Sequence, residues 1–352
     1  MLEKVYTAIG TPNIALVKYW GKRDENLNLP TNSSLSITLD ESMHTKTSII
    51  FSKKLKEDKL YINRNIQNLE DLKDEKLSFV KQTISYMKSL SKTDANTLIV
   101  SENSFPESVG LASSASGAAT LTYALSKALE LQLKPKEMSV IARRISGSAC
   151  RGLFGGFVKW NKGERVDGLD SYAEQIADQK HWPEIINIIA IVSETKKKIP
   201  SSAGHKITVN SSYLYKQRPT KAEENVNELS TAILKKDFAK LAEITMKDSN
   251  DMHATCLDSY PPIFYLSDIS KEIIYAIHDL NDSEKRPIAA YTFDAGPNAN
   301  IITTVKNKEK VKTLLEHIVG DDRIIETGQG EGPRLLPVTD SLIDQRTLKL
   351  IE

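Results

Sequence analysis

A run of small residues ending in one arginine, Ser-Gly-Ser-Ala-Cys-Arg at 146–151, is the first stretch whose residue types suggest chemistry. Small side chains let a backbone or a ligand approach closely. The guanidinium of Arg151 offers a planar fork of N–H donors that matches a carboxylate. An exposed arginine after a tight turn is the alternative interpretation. The segment therefore predicts either a carboxylate-binding site or an ordinary surface turn.

A second glycine- and serine-containing stretch, PESVGLASSASGAATL at 106–121, has the sequence context of a phosphate-binding loop. A predicted strand precedes it and an Ala/Leu-rich helix follows, and the N–H groups at such a helix start bind anions. The stretch lacks the lysine of a Walker loop, and Glu107 places a negative charge near the expected phosphate position. A helix N-terminus with good serine caps is the alternative.

The stretch NIALVKYWGKRDENLNLPTNSSLS contains two lysines and an arginine within six positions, 18–23, next to Tyr19 and Trp20. Clustered cations beside aromatic rings could bind a phosphorylated ligand. A solvated basic turn is the usual alternative, and the polar residues after Pro30 weaken it slightly.

Two further stretches contain residues that often take part in catalysis. Asp294 precedes a Gly-Pro turn in TFDAGPN, where an acid commonly caps the turn. His253 and Cys256 lie one helical turn apart in DMHATCLD, so they could support metal or nucleophilic chemistry. We interpret this pair as packed side chains.

The composition describes an ordinary globular protein. The chain has 352 residues, of which 40% are hydrophobic and 26% are charged, enough for one large domain or two fused domains. Its net charge of +1 gives no electrostatic reason to expect nucleic acid or an acidic membrane as partner. Two cysteines, no signal peptide and no membrane-spanning run predict a cytoplasmic protein.

Both halves of the chain mix helical and strand patterns, which predicts the α+β class. The polar, irregular stretch after Trp160 is a candidate connection between the halves. We therefore expect an N-terminal domain at 1–185, which contains the phosphate loop, and a C-terminal domain at 186–352.

Taken in order, five motifs resemble the diphosphomevalonate decarboxylase family of the GHMP kinase superfamily over nearly the whole chain. They are NIALVKYWGKRDENLNLPTNSSLS, FPESVGLASSASG, SGSACRGLFGGFVKW, MKDSNDMHATCLDSYPPIFYL and YTFDAGPNA. The resemblance implies a two-lobed α+β fold with a substrate cleft between the lobes, and often a homodimer. It also implies a small phosphorylated mevalonate as the substrate.

The resemblance assigns roles to particular residues. Arg151 is expected to grip the substrate carboxylate with Asn13 close by, and Asp294 to face the C3 oxygen. The residues expected to bind the 5-phosphate end are Tyr19, Lys22, Ser146, Ser148 and, in place of a family arginine, Lys206. The residues expected to face the phosphates of ATP in ATP-using relatives are Gly110, Ser113 and Ser114. No metal-ligating side chain is predicted.

In the family reaction the tertiary 3-hydroxyl is phosphorylated, phosphate leaves C3, and loss of CO2 supplies the electrons of the new double bond. Three departures from the family pattern cluster in phosphate-handling segments, namely Glu107, Ile145 and Lys206, whereas the decarboxylation residues are intact. This asymmetry favours an ATP-independent enzyme that receives mevalonate 3,5-bisphosphate and makes isopentenyl phosphate.

Other functions stay open from the sequence. The chain could be an ATP-dependent diphosphomevalonate decarboxylase that makes isopentenyl diphosphate, or the equivalent enzyme for the 5-monophosphate. Outside the decarboxylases lie a GHMP small-molecule kinase and a non-catalytic binding module, neither of which needs both Arg151 and Asp294. ATP and Mg²⁺ are implied if the kinase half-reaction is retained, and no cofactor is implied otherwise.

Overall fold

The computed structural model describes residues 3–70, 74–105, 113–195 and 197–351. Its strands are β1 Tyr6–Gly10, β2 Asn13–Val17, β3 Lys22–Asp24, β4 Leu29–Pro30, β5 Ser34–Thr38, β6 Thr45–Ser52, β7 Lys59–Ile62, β8 Asn65–Gln67, β9 Asn96–Asn103, β10 Phe157–Trp160, β11 Ala173–Ala177, β12 Ile185–Ala190, β13 Ala289–Phe293, β14 Ala299–Thr304, β15 Ile324–Thr327, β16 Arg334–Leu336, β17 Ile343–Asp344 and β18 Lys349–Leu350. Its α-helices are α1 Glu75–Ser91, α2 Ser113–Ala128, α3 Pro135–Ile145, α4 Ser201–Ser211, α5 Arg218–Leu234, α6 Phe238–Leu257, α7 Asp268–Ser283 and α8 Lys308–Val319. Short 3-10 helices span Gly147–Leu153, Leu214–Lys216, Asp321–Arg323 and Val338–Asp340.

Three sheets form the framework. A six-stranded sheet has the order β16-β1-β6-β9-β7-β8, with only the β7–β9 pair parallel among these neighbours. Two four-stranded antiparallel sheets have the orders β11-β10-β5-β2 and β13-β14-β12-β15. Because β16 comes from the C-terminal part of the chain and pairs with β1, this sheet combines strands from distant parts of the sequence.

One large hydrophobic core joins the two four-stranded sheets. It combines apolar residues of β2, β5 and β10 with those of β12, β13 and β14 and with helices α5 and α6. Helix α6 contacts both β2 and β13. The residues that follow these two strands are therefore brought together from opposite ends of the sequence.

Helix α6 begins after a residue that ends the preceding helix and a residue that caps the new one. Lys236 adopts the left-handed backbone conformation, with φ 55°, and the Asp237 carboxylate accepts a hydrogen bond from the Lys240 N–H at 3.0 Å. Leu241, Thr245 and Asp248 then recur at helical spacing on the buried side. An acid on that apolar stripe must have a partner inside the protein.

The fold class predicted from the sequence, α+β, is confirmed. The elements that the sequence did not predict include β11, which lies in the stretch taken as a connection, and α4, which follows Pro200. The expected division at residues 185 and 186 stays a prediction; β12 begins at Ile185, and β16 returns to the N-terminal sheet. None of the helices in the described ranges has the length and hydropathy needed to span a bilayer.

Candidate active site

Three arginines are almost completely buried, and their partners differ. Arg218 contacts the carboxylates of Asp248 and Asp251. Arg143 donates hydrogen bonds to the backbone carbonyls of residues 27, 168 and 171. Arg151 has only neutral side-chain partners among the described residues. Arg143 and Arg151 both lack a hydrogen-bonded acid, and Arg151, which lies in the segment predicted to bind a carboxylate, is the candidate for an anionic ligand.

Two hydrogen bonds fix the orientation of Arg151. Its Nε donates to Asn13 Oδ1 at 3.0 Å, and its Nη1 donates to Ser34 Oγ at 2.6 Å. Asn13 is held in turn, because its Nδ2 donates to the Ser148 carbonyl at 3.4 Å. Nη2 makes no hydrogen bond within the described part of the chain, so it is available to a carboxylate. Arg151 is 2% exposed, which contradicts the surface-turn alternative.

Asp294 is held by a lysine from the other end of the sequence. Lys18 Nζ donates to Asp294 Oδ1 at 2.7 Å and to the Ala15 carbonyl at 2.8 Å. The Lys18 side chain is 2% exposed, whereas that of Asp294 is 36% exposed. The carboxylate is therefore anchored on one side and accessible on the other.

The turn after β13 presents Asp294 without using its side chain as a cap. The Gly296 N–H donates to the backbone carbonyl of Asp294 at 2.7 Å, which closes the turn. On the strand side, the Phe293 N–H donates to Ser249 Oγ at 3.0 Å. The turn-cap interpretation of Asp294 is thus wrong, because the carboxylate contacts Lys18 instead.

Neighbouring cations set the charge state of Asp294. Burial raises the pKa of its carboxyl, but the charges of Lys18, Lys197 and Arg151 outweigh that effect and hold the pKa below its usual value. Lys18 shows the opposite balance: burial lowers its pKa, and Asp294 opposes this shift. At neutral pH Asp294 is therefore a carboxylate.

Strand β2 brings the two charged groups together. Asn13, whose side chain holds Arg151, and Ala15, whose carbonyl accepts a hydrogen bond from Lys18, are two residues apart on β2, so this one strand contacts both charged residues. The structure thus places Arg151 close enough to Asp294 for its charge to lower the pKa of the carboxyl.

A fully buried ion pair holds the backbone of Lys18. Asp248 Oδ2 accepts the Lys18 N–H at 2.6 Å and contacts Arg218 Nη2 at 3.2 Å. Arg218 Nη2 also donates to the Lys18 carbonyl at 3.2 Å, as does Asn32 Nδ2 at 3.0 Å. Asn225 Nδ2 donates to Asp248 Oδ1 at 3.1 Å. Both the N–H and the carbonyl of Lys18 are therefore held by buried side chains.

The residues expected to bind the 5-phosphate end are partly assembled. The ring of Tyr19 stands against Trp160, with centroids 4.7 Å apart, and a Cβ on Gly147 would come within 2.8 Å of the Tyr19 ring. The 146–148 turn and Tyr19 are thus neighbours. Ser146 Oγ lies 3.5 Å from Ser148 Oγ, and the buried Tyr19 hydroxyl has no partner among the described residues. Such an orphaned hydroxyl beside two serines suits a phosphate oxygen.

Lys22 and Lys206 are placed differently from that cluster. Lys22 begins β3 and contacts Glu25 at 3.0 Å, with 12% of its side chain exposed. Lys206 lies on α4 and is exposed. The solvated basic turn predicted as an alternative is wrong for Lys18, which is buried, and fits Arg23, which is exposed.

Of the three departures from the family pattern, Ile145 and Lys206 lie among the described residues. Ile145 ends α3 and packs with the hydrophobic core, so its side chain serves the interior. Glu107 and Gly110 lie outside the described residues. Ser113 and Ser114 begin α2, with Ser114 exposed, at a helix end that attracts anions. The asymmetry that favoured an ATP-independent enzyme thus loses its structural support at Ile145.

His253 and Cys256 are packed side chains, as predicted. Cys256 is buried with Met252, Ile263 and Tyr265 in one hydrophobic cluster, and the buried ring of His253 lies beside Tyr265, with ring centroids 6.3 Å apart. Burial lowers the pKa of His253 to about 3 and raises that of Cys256 to about 12. Neither the imidazolium nor the thiolate is therefore populated at neutral pH.

Sequence reasoning did not assign roles to Lys18, Ser34, Asp248 and Arg218. Lys18 carried a signal, because it ends the apolar run IALV and a lysine in such a run needs a buried partner. Asp248 carried a weaker one, as an acid on the apolar face of a helix. Which acid meets which base across 276 residues required the structure.

Known families match both parts of the chain. Residues 10–173 match the diphosphomevalonate decarboxylase-like N-terminal domain, and residues 187–345 match the mevalonate 5-diphosphate decarboxylase C-terminal domain. The diphosphomevalonate decarboxylase of Debaryomyces hansenii is 47% identical over 87% of this chain and 82% of its own length. That of Candida albicans is 45% identical over 92% of this chain and 95% of its own length.

Solved structures agree over nearly the whole fold. A mevalonate 5-diphosphate decarboxylase has a TM-score of 0.87 and 37% identity, covering 98% of this chain and 100% of its own. MDDEF in complex with MVAPP, AMPPCP and magnesium has a TM-score of 0.85 and 35% identity, covering 95% of this chain and 99% of its own. The chain therefore belongs to the diphosphomevalonate decarboxylase family, a family of mevalonate-pathway carboxy-lyases.

Proposed function

We propose that this protein is an ATP-dependent diphosphomevalonate decarboxylase. It would convert 5-diphosphomevalonate and ATP into isopentenyl diphosphate, CO2, ADP and phosphate. The observation that carries the proposal is that strand β2 contacts both the buried Arg151, which makes no ion pair among the described residues, and Lys18, which anchors Asp294. The names of the most similar relatives supply the diphosphate substrate.

The comparisons support this reading better than elimination from mevalonate 3,5-bisphosphate. MDDEF, which shares 35% identity with this chain, was solved with MVAPP, AMPPCP and magnesium together. AMPPCP is an ATP analogue, so a member of the same fold accommodates a nucleotide and the diphosphate substrate at once. We accordingly extend ATP use to this chain.

Arg151 would position the substrate carboxylate. Its Nε and Nη1 are occupied by Asn13 and Ser34, so the guanidinium plane is fixed before the substrate arrives. The unoccupied Nη2 then determines where the carboxylate binds. This pre-orientation aligns the C–C bond that breaks with the phosphate that leaves C3, and positioning of this kind contributes several kcal/mol, roughly, to catalysis.

Asp294 would act on C3 chiefly through its charge. A general base works best when its pKa lies near the working pH, and the pKa of Asp294 is lowered. Its accessible oxygen can orient the 3-hydroxyl through a hydrogen bond during phosphorylation. When phosphate departs, the same carboxylate stabilises the positive charge that develops at the tertiary carbon. Lys18 keeps the carboxylate in place through both steps.

The described residues suit Mg²⁺ carried by phosphates better than Mg²⁺ held by a protein cage. Within the described ranges no group of three or more His, Cys, Asp or Glu side chains could hold a metal ion. Mg²⁺ commonly keeps its waters and binds phosphate oxygens with one or two protein ligands. When bound with ATP, it would neutralise phosphate charge, and Ser113 and Ser114 at the start of α2 would lie on the phosphate side.

A product assay with defined substrates tests the proposal. Purified protein is given 5-diphosphomevalonate or 5-phosphomevalonate, each with and without Mg-ATP, and mevalonate 3,5-bisphosphate without nucleotide. We expect CO2 release and isopentenyl diphosphate only from the first substrate with Mg-ATP. CO2 from the bisphosphate alone would contradict the proposal and restore the ATP-independent function. ADP release without CO2 would instead indicate a kinase.

A cytoplasmic location and a homodimer remain predictions from the composition and the family resemblance. Sedimentation of the purified protein measures the second directly. A single species at the mass of one chain, 39.2 kDa, would contradict it.

A further inference from the structure

His205 lies between the two aromatic rings of the turn that precedes β3. Its ring centroid is 4.5 Å from that of Tyr19 and 4.2 Å from that of Trp20, with interplanar angles of 45° and 34°. His205 comes from α4, whereas the two aromatic residues follow β2. A buried side chain from a distant element is therefore inserted into the segment expected to bind the 5-phosphate end.

One nitrogen of His205 accepts a backbone hydrogen bond. The Gly21 N–H donates to His205 Nδ1 at 2.7 Å. An accepting Nδ1 carries no proton, so the ring is the neutral tautomer with its hydrogen on Nε2. Burial, reinforced by the positive charges of Lys22 and Arg218, lowers the pKa of His205 to about 3. Nδ1 is thus an acceptor throughout the neutral pH range.

Gly21 occupies a backbone position that tolerates little change. Its φ of 101° lies in a region that favours glycine, and a Cβ there would come within 1.7 Å of the Tyr215 hydroxyl. The Gly21 carbonyl accepts from the Thr31 N–H at 3.2 Å, and the Tyr215 hydroxyl donates to the Trp20 carbonyl at 3.0 Å. His205 supplies the acceptor for the remaining polar group of Gly21, its N–H.

We propose that His205 is a positioning residue, which orients the turn of residues 19–22 so that Tyr19 and Lys22 meet the 5-phosphate end of the substrate. It does so by accepting the Gly21 N–H and by separating the Tyr19 and Trp20 rings. This inference rests on the proposed function for the role of Tyr19 and Lys22. Packing alone would be met by a phenylalanine, whereas holding a buried N–H requires an acceptor.

Two substitutions separate the acceptor from the ring. His205→Phe keeps an aromatic ring between Tyr19 and Trp20 but removes the acceptor. His205→Asn loses the ring but can place Oδ1 where Nδ1 lies. We expect His205→Phe to raise KM for the 5-phosphorylated substrate about tenfold, the effect of one unmade buried hydrogen bond, with kcat and KM for ATP changed less than about twofold. His205→Asn should restore KM to within about threefold of wild type.

Tyr265→Phe is the matched control. Tyr265 also packs against Trp20, with ring centroids 6.0 Å apart, but its buried hydroxyl has no partner among the described residues. Its removal should leave KM unchanged. Equal KM values for the phenylalanine and asparagine variants of His205, whether raised or not, would overturn the proposal, as would a fall in kcat at constant KM.

The measurement stays informative if the proposed function fails. It uses whichever 5-phosphorylated mevalonate the wild-type protein turns over, because all three candidate substrates carry a 5-phosphate. Failure of the proposed function appears as turnover of a different substrate by the wild type. Failure of the positioning role appears only in the comparison between variants. Calorimetric binding of the same substrate without nucleotide checks that the change in KM reflects affinity.

Discussion

Two buried ion pairs meet at Lys18, and they differ in how completely they are enclosed. In the Arg218–Asp248 pair both side chains are 0% exposed, and Asp248 also binds the Lys18 N–H and Asn225. In the Lys18–Asp294 pair the lysine is 2% exposed and the aspartate 36% exposed. In the first pair both carboxylate oxygens are bonded to protein groups, whereas in the second the carboxylate side chain is partly exposed.

The difference separates an ion pair that supports the structure from an ion pair that can act on a ligand. A closed pair gives up its hydration and makes few contacts beyond the protein, so it serves to fix a backbone. An open pair keeps one partner rigid and lets the other meet a ligand. Lys18 joins the two pairs, because its backbone belongs to the closed pair and its ammonium to the open one. We therefore expect changes in the two pairs to separate stability from turnover.

The largest expected effect is on turnover, from Asp294→Asn. The asparagine oxygen still accepts from Lys18, so the structure is kept, but the negative charge at C3 is lost. We expect kcat to fall about 10³-fold, and the melting temperature to stay within a few degrees, roughly. CO2 release measures kcat, and thermal unfolding measures the melting temperature. A kcat within tenfold of wild type would show that the open pair does not act on C3.

The next effect is on stability, from Asp248→Ala. This change leaves the Arg218 guanidinium and the Lys18 N–H without their buried acceptor, so the free energy of unfolding should fall by about 3 kcal/mol. Asp251→Ala is the matched control, because Asp251 is 38% exposed and Arg218 keeps Asp248. Its cost should be about 1 kcal/mol. Equal losses in the free energy of unfolding for the two variants, measured by urea unfolding, would contradict the distinction between closed and open pairs.

Arg151→Lys tests the accessible part of the site through the cation that is proposed to bind the substrate carboxylate. A lysine cannot hold both Asn13 and Ser34 while presenting a second forked donor, so kcat/KM should fall about 10²-fold. Arg143→Lys is the control, since Arg143 is buried among carbonyls away from the ligand. It should lower the melting temperature and leave kcat/KM of the folded enzyme unchanged. The opposite pattern would exchange the assigned roles.

The smallest effect is the pH dependence of stability. The pKa of Asp294 is lower in the folded protein than its ordinary value of 3.8, so its stabilising contribution is complete above that value. The contribution disappears as the pH falls through the folded pKa. The stability advantage of wild type over Asp294→Asn should therefore shrink as the pH falls below about 4 in urea unfolding. A constant difference would show that Asp294 titrates alike in both states.

The sequence predicted the local elements well where periodicity and breakers agreed. The strand predicted before the 106–121 stretch and the Ala/Leu-rich helix predicted after it are β9 and α2. The helix α4 was missed because SSAGHKITVNS mixes glycine and β-branched residues without a clear apolar face. His205 was therefore not placed on any element.

Residues of the candidate site could be predicted from the sequence, but the contacts between them could not. The family resemblance assigned Asn13, Arg151 and Asp294, and in the structure Arg151 contacts Asn13 and lies close enough to Asp294 for its charge to lower the pKa of that carboxyl. Lys18 and Asp248 were missed because their value lies in partners far away in sequence. Such partnerships arise from the packing of α6 between β2 and β13, which a single sequence does not show.

The pairing of β16 with β1 affects how the molecule can be made. Thr7 pairs with Leu336, 329 residues further along the chain, so β1 is synthesised long before the strand that pairs with its outer edge. Until then β1 exposes unpaired backbone groups on that edge, which are a template for aggregation. We infer that deleting β16 would leave this edge of β1 open in the folded protein.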